Sequence, residues 1–266
     1  MEKPYNLRLV RTIAIMFIIP ATILFYVSCK DDATNMTDKF DCITMLDTAG
    51  LNLYQFNQYP PEQWKGMPYS EKIAQRQIPQ DILTRMNNNA LFMQFVNCDL
   101  AGDVLLYNSI QAGFRHSIES FNMLQELLSR NEIESFFLDK INIIDLSEIN
   151  SNECHFFFLC LQMLSVQPEV INRINDSNKE EYIQSLLRQK EDIEQLAKNN
   201  PDWQIPWSLT SVFIGFGNFM IKYNYRPFIA LIESDESVKG FMEGDPLSNE
   251  VALLIDIHFT SFYRTN

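Results

Sequence analysis

Histidine, glycine and tryptophan are scarce in this chain of 266 residues, which has three, eight and three of them against twenty phenylalanines. It contains no G-x-x-x-x-G-K-S/T phosphate loop, no G-x-S-x-G nucleophile turn and no closely spaced zinc ligands such as H-E-x-x-H or C-x-x-C. These absences argue against P-loop nucleotide hydrolases, α/β-type serine hydrolases and local zinc sites. We therefore predict no cofactor, no metal and no catalytic residue.

Few glycines and many phenylalanines favour a helix-rich, aromatic-packed protein over a turn-rich β-sandwich. Apolar residues recur every three or four positions after residue 69, where strand-like alternation is not evident. We expect an all-α fold of stacked helix pairs, either an irregular helical bundle or a short α-solenoid. The predicted helices are a short one from Ser70, then 79–96, 103–128 (with a break at Asn108–Ser109 or Gly113), 131–141, 149–164, 167–174, 178–199, 208–223 and 247–264.

Three of these helices differ in how their apolar residues are distributed. Segments 149–164 and 208–223 are apolar nearly all round, which is typical of helices covered on several sides. Segment 178–199 carries charge on one face and should lie at the surface.

The N-terminus has the pattern of an export signal. Lys3, Arg8 and Arg11 precede an apolar run that carries no charge up to Cys29. The run is short for a bilayer-spanning helix, which needs about 20 apolar residues, and Pro20 interrupts it. We predict a signal peptide at 1–28; the alternative is an uncleaved N-terminal anchor.

Cys29 is the predicted lipidation site. Ser28-Cys29 resembles a bacterial lipobox, in which a small residue precedes a cysteine that is lipidated and becomes the first residue. The following Lys30, Asp31 and Asp32 resemble the surface-sorting signal of Bacteroidetes lipoproteins. The alternative is an ordinary signal peptide with an incidental cysteine. We expect a lipid-anchored, loop-rich tether at 29–68 and a helical domain at 69–266.

The charge balance is acidic, with a net charge of −13. The 28 residues before Cys29 hold one acid and three bases, so the rest keeps 33 acids and 18 bases and a net charge of −15. This argues against nucleic acid as a partner, because phosphate binding needs clustered Lys and Arg. The predicted partners are the membrane, through the lipid anchor, and an envelope protein or glycan.

Four cysteines are left once Cys29 is assigned to lipid, and an exported protein can pair them. Cys154 and Cys160 are six positions apart on one predicted helix, about 9 Å along its axis and on different faces, so they should not bond to each other. We expect both to be buried thiols. The pairing of Cys42, Cys98, Cys154 and Cys160 is otherwise open.

The stretch from Leu83 to Arg130 combines a Met-x-x-x-Ala-Leu helix with Gly-Asp, Tyr-Asn-Ser-x-Gln-x-Gly-Phe, Phe-Asn and Leu-Leu. It resembles a group of exported Bacteroidetes lipoproteins without an assigned activity. The resemblance implies export and a helical fold, and it transfers no catalytic residue. Its positions are Met86, Ala90, Leu91, Gly102, Asp103, Tyr107, Asn108, Ser109, Gln111, Gly113, Phe114, Phe121, Asn122, Leu127 and Leu128.

Two sets of residues are candidate sites. Asp103, Tyr107, Asn108 and Gln111, with His116 nearby, form either a polar network for recognition or a set of helix caps. Asp47-Thr48-Ala49 resembles the Asp-Thr/Ser-apolar sequon for O-glycosylation in Bacteroidetes exported proteins, with Thr48 as the acceptor.

Two functions are compatible with this sequence. One is a non-catalytic lipoprotein of the outer membrane, exposed at the surface, that binds or scaffolds a protein. The alternative is an envelope hydrolase acting on glycan or peptide. A hydrolase should have a deep cleft with inward-facing acids, whereas a binding protein should present a shallow groove or an exposed apolar patch.

Overall fold

The computed structural model describes residues 52–144, 146, 152–199 and 206–265. The predicted signal peptide 1–28, Cys29, the sorting residues 30–32, Cys42 and Thr48 lie outside these ranges.

Within the described ranges the chain forms fourteen α-helices and one 3-10 helix without any β-strand, so the all-α prediction is confirmed as a helical bundle. The helices are α1 (Pro61–Gly66), α2 (Tyr69–Ala74), α3 (Gln80–Leu83), α4 (Asn88–Val96), the 3-10 helix η1 (Ala101–Leu106), α5 (Ile110–Ser120), α6 (Asn122–Ser129), α7 (Ile133–Asn142), α8 (Asn152–Ser165), α9 (Pro168–Ile171), α10 (Asp176–Asn199), α11 (Pro206–Lys222), α12 (Arg226–Ser234), α13 (Glu236–Glu243) and α14 (Asn249–Thr265).

Helices α8 and α11 lie at the centre of the bundle, as their apolar composition predicts. α8 packs against α4, α5, α7 and α11, while α11 also packs against α9, α10, α12 and α14. Phe158, Phe216 and Phe219 are among their buried side chains. α10 buries one face and exposes its charged face. Aromatic edge and stacking contacts continue through this core; Phe216 stacks on Phe259 of α14 at 3.8 Å between ring centroids.

Side-chain caps explain where the predicted long helices divide. Segment 79–96 was predicted as one helix, but the Asn87 side chain accepts a hydrogen bond from the Ala90 amide at 2.8 Å and starts α4 anew. Segment 103–128 is likewise divided into three elements, η1, α5 and α6. Ser109 Oγ accepts a hydrogen bond from the Ala112 amide at 3.1 Å and starts α5. The extended backbone of Phe121 then separates α5 from α6. The break is therefore near Asn108–Ser109 and not at Gly113.

Three helices occur where the sequence analysis predicted none. α1 occupies part of the segment predicted to be loop, and α12 and α13 fill the stretch between the predicted helices 208–223 and 247–264. Asp235 starts α13 by accepting hydrogen bonds from the amides of Ser237 and Val238 at 2.9 and 3.1 Å. Gly244 ends it with φ of 120°, a conformation that favours glycine.

The cysteine prediction is partly wrong. Cys160 is a free buried thiol, and so is Cys98. Cys154 is buried as expected, but it is disulfide-bonded and therefore not a free thiol. Cys154 and Cys160 do not bond to each other, which agrees with their helical spacing. Both side chains are buried, with Cys154 6% and Cys160 0% exposed, so the two cysteines differ in bonding and not in burial.

The segment 52–67, called here the N-terminal strap, packs on the helical body. Leu53, Tyr54, Phe56 and Trp64 contact the core. The Tyr54 amide donates to Gln94 Oε1 at 2.7 Å, and Gln94 Nε2 donates back to the Tyr54 carbonyl at 3.2 Å. This reciprocal pair satisfies a buried side-chain amide and fixes the strap against α4.

Candidate functional site

Four side chains from three elements meet at the surface of the bundle. They are Tyr69 at the start of α2, Asp103 in η1, Tyr107 directly after η1 and His116 in α5, and we call them the aromatic–acid cluster. Asp103, Tyr107 and His116 belong to the stretch that the sequence analysis singled out. Tyr69 was missed, because it lies 34 positions before Asp103 and only packing brings it there.

The imidazole of His116 contacts both tyrosine rings. Its ring centroid is 6.1 Å from that of Tyr69, with nearly parallel planes, and 5.1 Å from that of Tyr107. Its Nε2 is 3.3 Å from Ser120 Oγ, one turn later on α5. Both tyrosines keep more than a third of their surface exposed, so aromatic side chains of the cluster are accessible to a ligand.

The electrostatics of the cluster centre on Asp103 and Tyr69. Burial raises the pKa of Tyr69 to about 12, and the negative charge of Asp103 adds to the shift. Burial also raises the pKa of Asp103 above its usual range, against the opposing effects of its hydrogen bond with Tyr69 and of the nearby Lys72. The pKa of Tyr107 is raised in the same direction by burial and by Asp103. The carboxylate is thus partly desolvated, with a phenol as its hydrogen-bond donor.

Gly113 allows η1 to lie close against α5. A Cβ on Gly113 would be 2.1 Å from the carbonyl oxygen of Val104, so no larger residue fits without moving η1. This contact brings the residues of η1 next to His116. Gly113, which belongs to the stretch from Leu83 to Arg130, therefore allows the close packing that holds η1 beside His116.

A reciprocal amide pair fixes α2 relative to α5. The Ile78 amide donates to Asn122 Oδ1 at 3.1 Å, and Asn122 Nδ2 donates to the Ile78 carbonyl at 2.8 Å. Gln77 Nε2 donates to the Ser120 carbonyl at 3.0 Å, and its Oε1 accepts from the Asn122 amide at 3.2 Å. These four bonds join the end of α2 to the junction of α5 and α6, and thereby position Tyr69 against His116.

The other residues of the predicted polar network lie elsewhere. Gln111 is buried, and its Nε2 donates to the Met242 carbonyl at 3.4 Å. Asn108 is exposed. Ser109, besides capping α5, donates its hydroxyl to the Gly244 carbonyl. The structure brings Asp103 and Tyr107 together, while Gln111 and Ser109 connect α5 to the end of α13.

Exposed leucines adjoin the cluster. Leu106 is 80% exposed and Leu105 is 42% exposed, both on η1 directly before Tyr107. Leu106 is the most exposed of the large apolar side chains among the described residues. We call Leu105, Leu106, Tyr107 and Tyr69 the η1 patch. Apolar side chains grouped at a surface in this way mark a site of interaction more often than isolated ones do.

The described residues offer little for catalysis. The Ser120–His116 contact resembles a nucleophile–base pair. Within the cluster, however, Asp103 hydrogen-bonds Tyr69, and that bond does not orient the imidazole. Within the described ranges no group of three or more His, Cys, Asp or Glu side chains is placed to hold a metal ion. In the same ranges none of the helices has the length and apolar character to cross a bilayer.

A groove of about 490 Å³ lies between the end of α7 and α10. Among the described residues its lining includes Arg188 and Asp192 with the apolar Ile143 and Leu196. Asp192 is the single carboxylate of that lining, whereas a glycosidase needs two at a set separation.

Comparison with protein-family models, with curated proteins and with solved structures finds no match to this chain.

Proposed function

We propose that this protein is a lipoprotein of a Bacteroidetes outer membrane, anchored through Cys29 and exposed at the surface, that binds a protein partner without catalysis. The observation that carries the proposal is the η1 patch: two exposed leucines and two half-exposed tyrosines beside a partly desolvated carboxylate. Exposed apolar side chains cost solubility, so a surface that keeps them grouped is best explained by a partner that covers them.

The same observation favours binding over the alternative of an envelope hydrolase. Aromatic residues are enriched in the cores of protein interfaces, where they bury large areas with few rotatable bonds. A hydrolase instead needs an enclosed site with converging acids or an oriented nucleophile. Neither the η1 patch nor the groove beside α10 supplies such a site among the described residues.

The test is a pull-down of the full chain from envelope extract, followed by reconstitution with the captured protein in purified form. We expect Leu106→Asp to weaken binding at least tenfold, because it places a charge in the centre of the apolar contact. Ile257→Asp is the matched control, since Ile257 is 56% exposed on α14 and outside the patch.

Equal affinities of wild type, Leu106→Asp and Ile257→Asp for the purified partner would reject the η1 patch as the binding surface. Hydrolysis of an envelope glycan or peptide by the wild type, with loss of turnover in Ser120→Ala, would favour the hydrolase instead.

A further inference from the structure

We infer that the aromatic–acid cluster is the subsite for a positively charged side chain, arginine or lysine, which the protein partner presents between apolar residues that cover Leu105 and Leu106. This inference rests on the proposed function and specifies the chemistry of the partner.

Asp103 is an anion without a counter-ion in direct contact. Among the described residues, no Lys, Arg or His nitrogen lies within 4.0 Å of its carboxylate. The neighbouring Asp99 is paired with Arg76 at 2.7 Å. Lys72 acts on Asp103 electrostatically, while its Nζ lies 5.5 Å from the centroid of the Trp64 ring. A carboxylate that has lost part of its hydration gains most from a cation that reaches it directly.

The rings beside Asp103 add a second attraction for a cation. Aromatic faces carry negative partial charge, and a guanidinium or ammonium group within about 6 Å of a ring centroid is attracted to it. Tyr69 hydrogen-bonds Asp103, Tyr107 is near enough for the charge of Asp103 to raise its pKa, and both rings contact His116, so a cation at Asp103 would also be close to aromatic side chains. Arginine suits this arrangement better than lysine, because its planar group can stack on a ring while it donates to a carboxylate.

This protein already contains one pairing of the proposed kind. Arg76 donates from Nε and Nη2 to the two oxygens of Asp99 at 2.7 and 2.8 Å, and its guanidinium lies 4.2 Å from the centroid of the Trp64 ring. The combination of carboxylate and aromatic face therefore binds an arginine inside the fold. In the aromatic–acid cluster the same two components are accessible from solvent.

The negative charge of the chain favours a basic partner segment, and the exposed leucines beside the cluster can bind apolar residues of that segment. The chain has a net charge of −13, so a basic segment is attracted to it from a distance. Leu105 and Leu106 immediately precede Tyr107 and are exposed, so apolar residues beside the cation would be buried against them. A neutral or acidic segment would leave Asp103 uncompensated on binding, which is unfavourable.

The test compares two blocked peptides with a Leu-X-Leu centre, in which X is arginine or its neutral isostere citrulline. Their affinities for the full chain in detergent are measured by fluorescence polarisation. We expect the arginine peptide to bind about tenfold more tightly than the citrulline peptide, a difference typical of a charge-assisted hydrogen bond. Asp103→Asn should reduce the affinity of the arginine peptide to that of the citrulline peptide. Glu191→Gln removes one exposed charge from α10 and is the matched control, which should keep the tenfold difference.

The outcomes separate this inference from the proposed function. Equal affinity for the two peptides, no detectable binding of either at millimolar concentration, or an unchanged preference in Asp103→Asn overturns the cation subsite. If Leu106→Asp still abolishes binding of the purified partner, the η1 patch stands without it. Displacement of the arginine peptide by a neutral oligosaccharide such as maltohexaose, lost in Tyr107→Ala, would also overturn the inference and assign the cluster to a glycan.

Discussion

Arg76, which follows α2, and Asp99, which follows α4, form a two-pronged ion pair, and the same guanidinium packs against aromatic rings of the N-terminal strap. The Arg76 side chain is 5% exposed and that of Asp99 is 45% exposed, so the pair spans from the interior to the surface. The guanidinium also lies 4.2 Å from the Trp64 ring centroid and 5.3 Å from that of Phe56. One cation thus links two aromatic residues of the strap to Asp99, three residues after the end of α4.

Arg76→Ala should therefore lower the free energy of unfolding by about 2 kcal/mol, since it removes the ion pair and the support of both rings. Urea denaturation measures the change. Arg85→Ala is the control, because Arg85 and Asp81 form an exposed pair with side chains 72% and 77% accessible. Loss of this exposed ion pair should lower the free energy of unfolding by no more than about 0.5 kcal/mol. Equal effects of the two substitutions would contradict the role assigned to Arg76.

Gly113→Ala should destabilise the protein by at least about 2 kcal/mol, because the added methyl group overlaps the Val104 carbonyl. We also expect weaker binding of the partner, since η1 must move away from His116. Gly102→Ala is the matched control on the same 3-10 helix, where a Cβ meets nothing within 4 Å. Thermal unfolding of both variants tests this, and a stable Gly113→Ala protein would be inconsistent with the packing of η1 on α5.

Alkaline pH should reduce stability through Tyr69. Its pKa is about 12 in the folded chain against an ordinary value of 10, so the folded state holds its proton more tightly. The resulting stabilisation is complete below pH 10 and is lost as pH rises towards 12. Tyr69→Phe lacks this contribution, so its stability should fall less than that of the wild type over the same range.

Asp103→Asn should lower the pKa of Tyr69, because it removes a nearby negative charge. Absorbance at 295 nm, recorded as the difference between each protein and its Tyr69→Phe counterpart, isolates this titration. Identical difference curves with Asp or Asn at position 103 would show that the charge of Asp103 does not contribute to the raised pKa of Tyr69.

Cys29→Ala should abolish incorporation of a metabolic lipid label, since the predicted acyl acceptor is gone. Cys98→Ala, which alters a buried free thiol, should leave the label unchanged. Label retained in Cys29→Ala would contradict the lipoprotein assignment.

Charge reversal of Asp31 and Asp32 to lysine should lower the fraction of the protein that added protease digests on intact cells, while helical content stays constant. Circular dichroism checks the latter. A cell-surface fraction equal to that of the wild type would show that these acids are not a sorting signal.

The sequence predicted the bundle well where composition determines position. Segments that are apolar all round became the central α8 and α11, and the charged 178–199 became the surface helix α10, because burial follows directly from the residues along a helix. Helix divisions were harder, since one cap such as Asn87 or Ser109 ends a periodic pattern that otherwise continues.

The sequence predicted only some residues of the candidate site. Asp103, Tyr107 and His116 are close along the chain, and their grouping could be proposed from spacing. Tyr69 reaches them through the Gln77–Asn122 hydrogen bonds, which join segments more than 40 positions apart. Gln111 appears equivalent to Asp103 in sequence, yet it is turned inwards towards Met242. Such distinctions depend on tertiary packing, which local patterns do not contain.

The stacking of Phe216 on Phe259 has a consequence for the order in which the chain can fold. α11 is surrounded by α8, α9 and α10, which precede it, and by α12 and α14, which follow it. During synthesis the part of its apolar surface that α14 covers therefore stays exposed at least until the ribosome has passed Phe262, another buried residue of α14. A chain that is exported as proposed would leave the cytoplasm more readily for this reason, because translocation requires an unfolded polypeptide and the core closes only with α14.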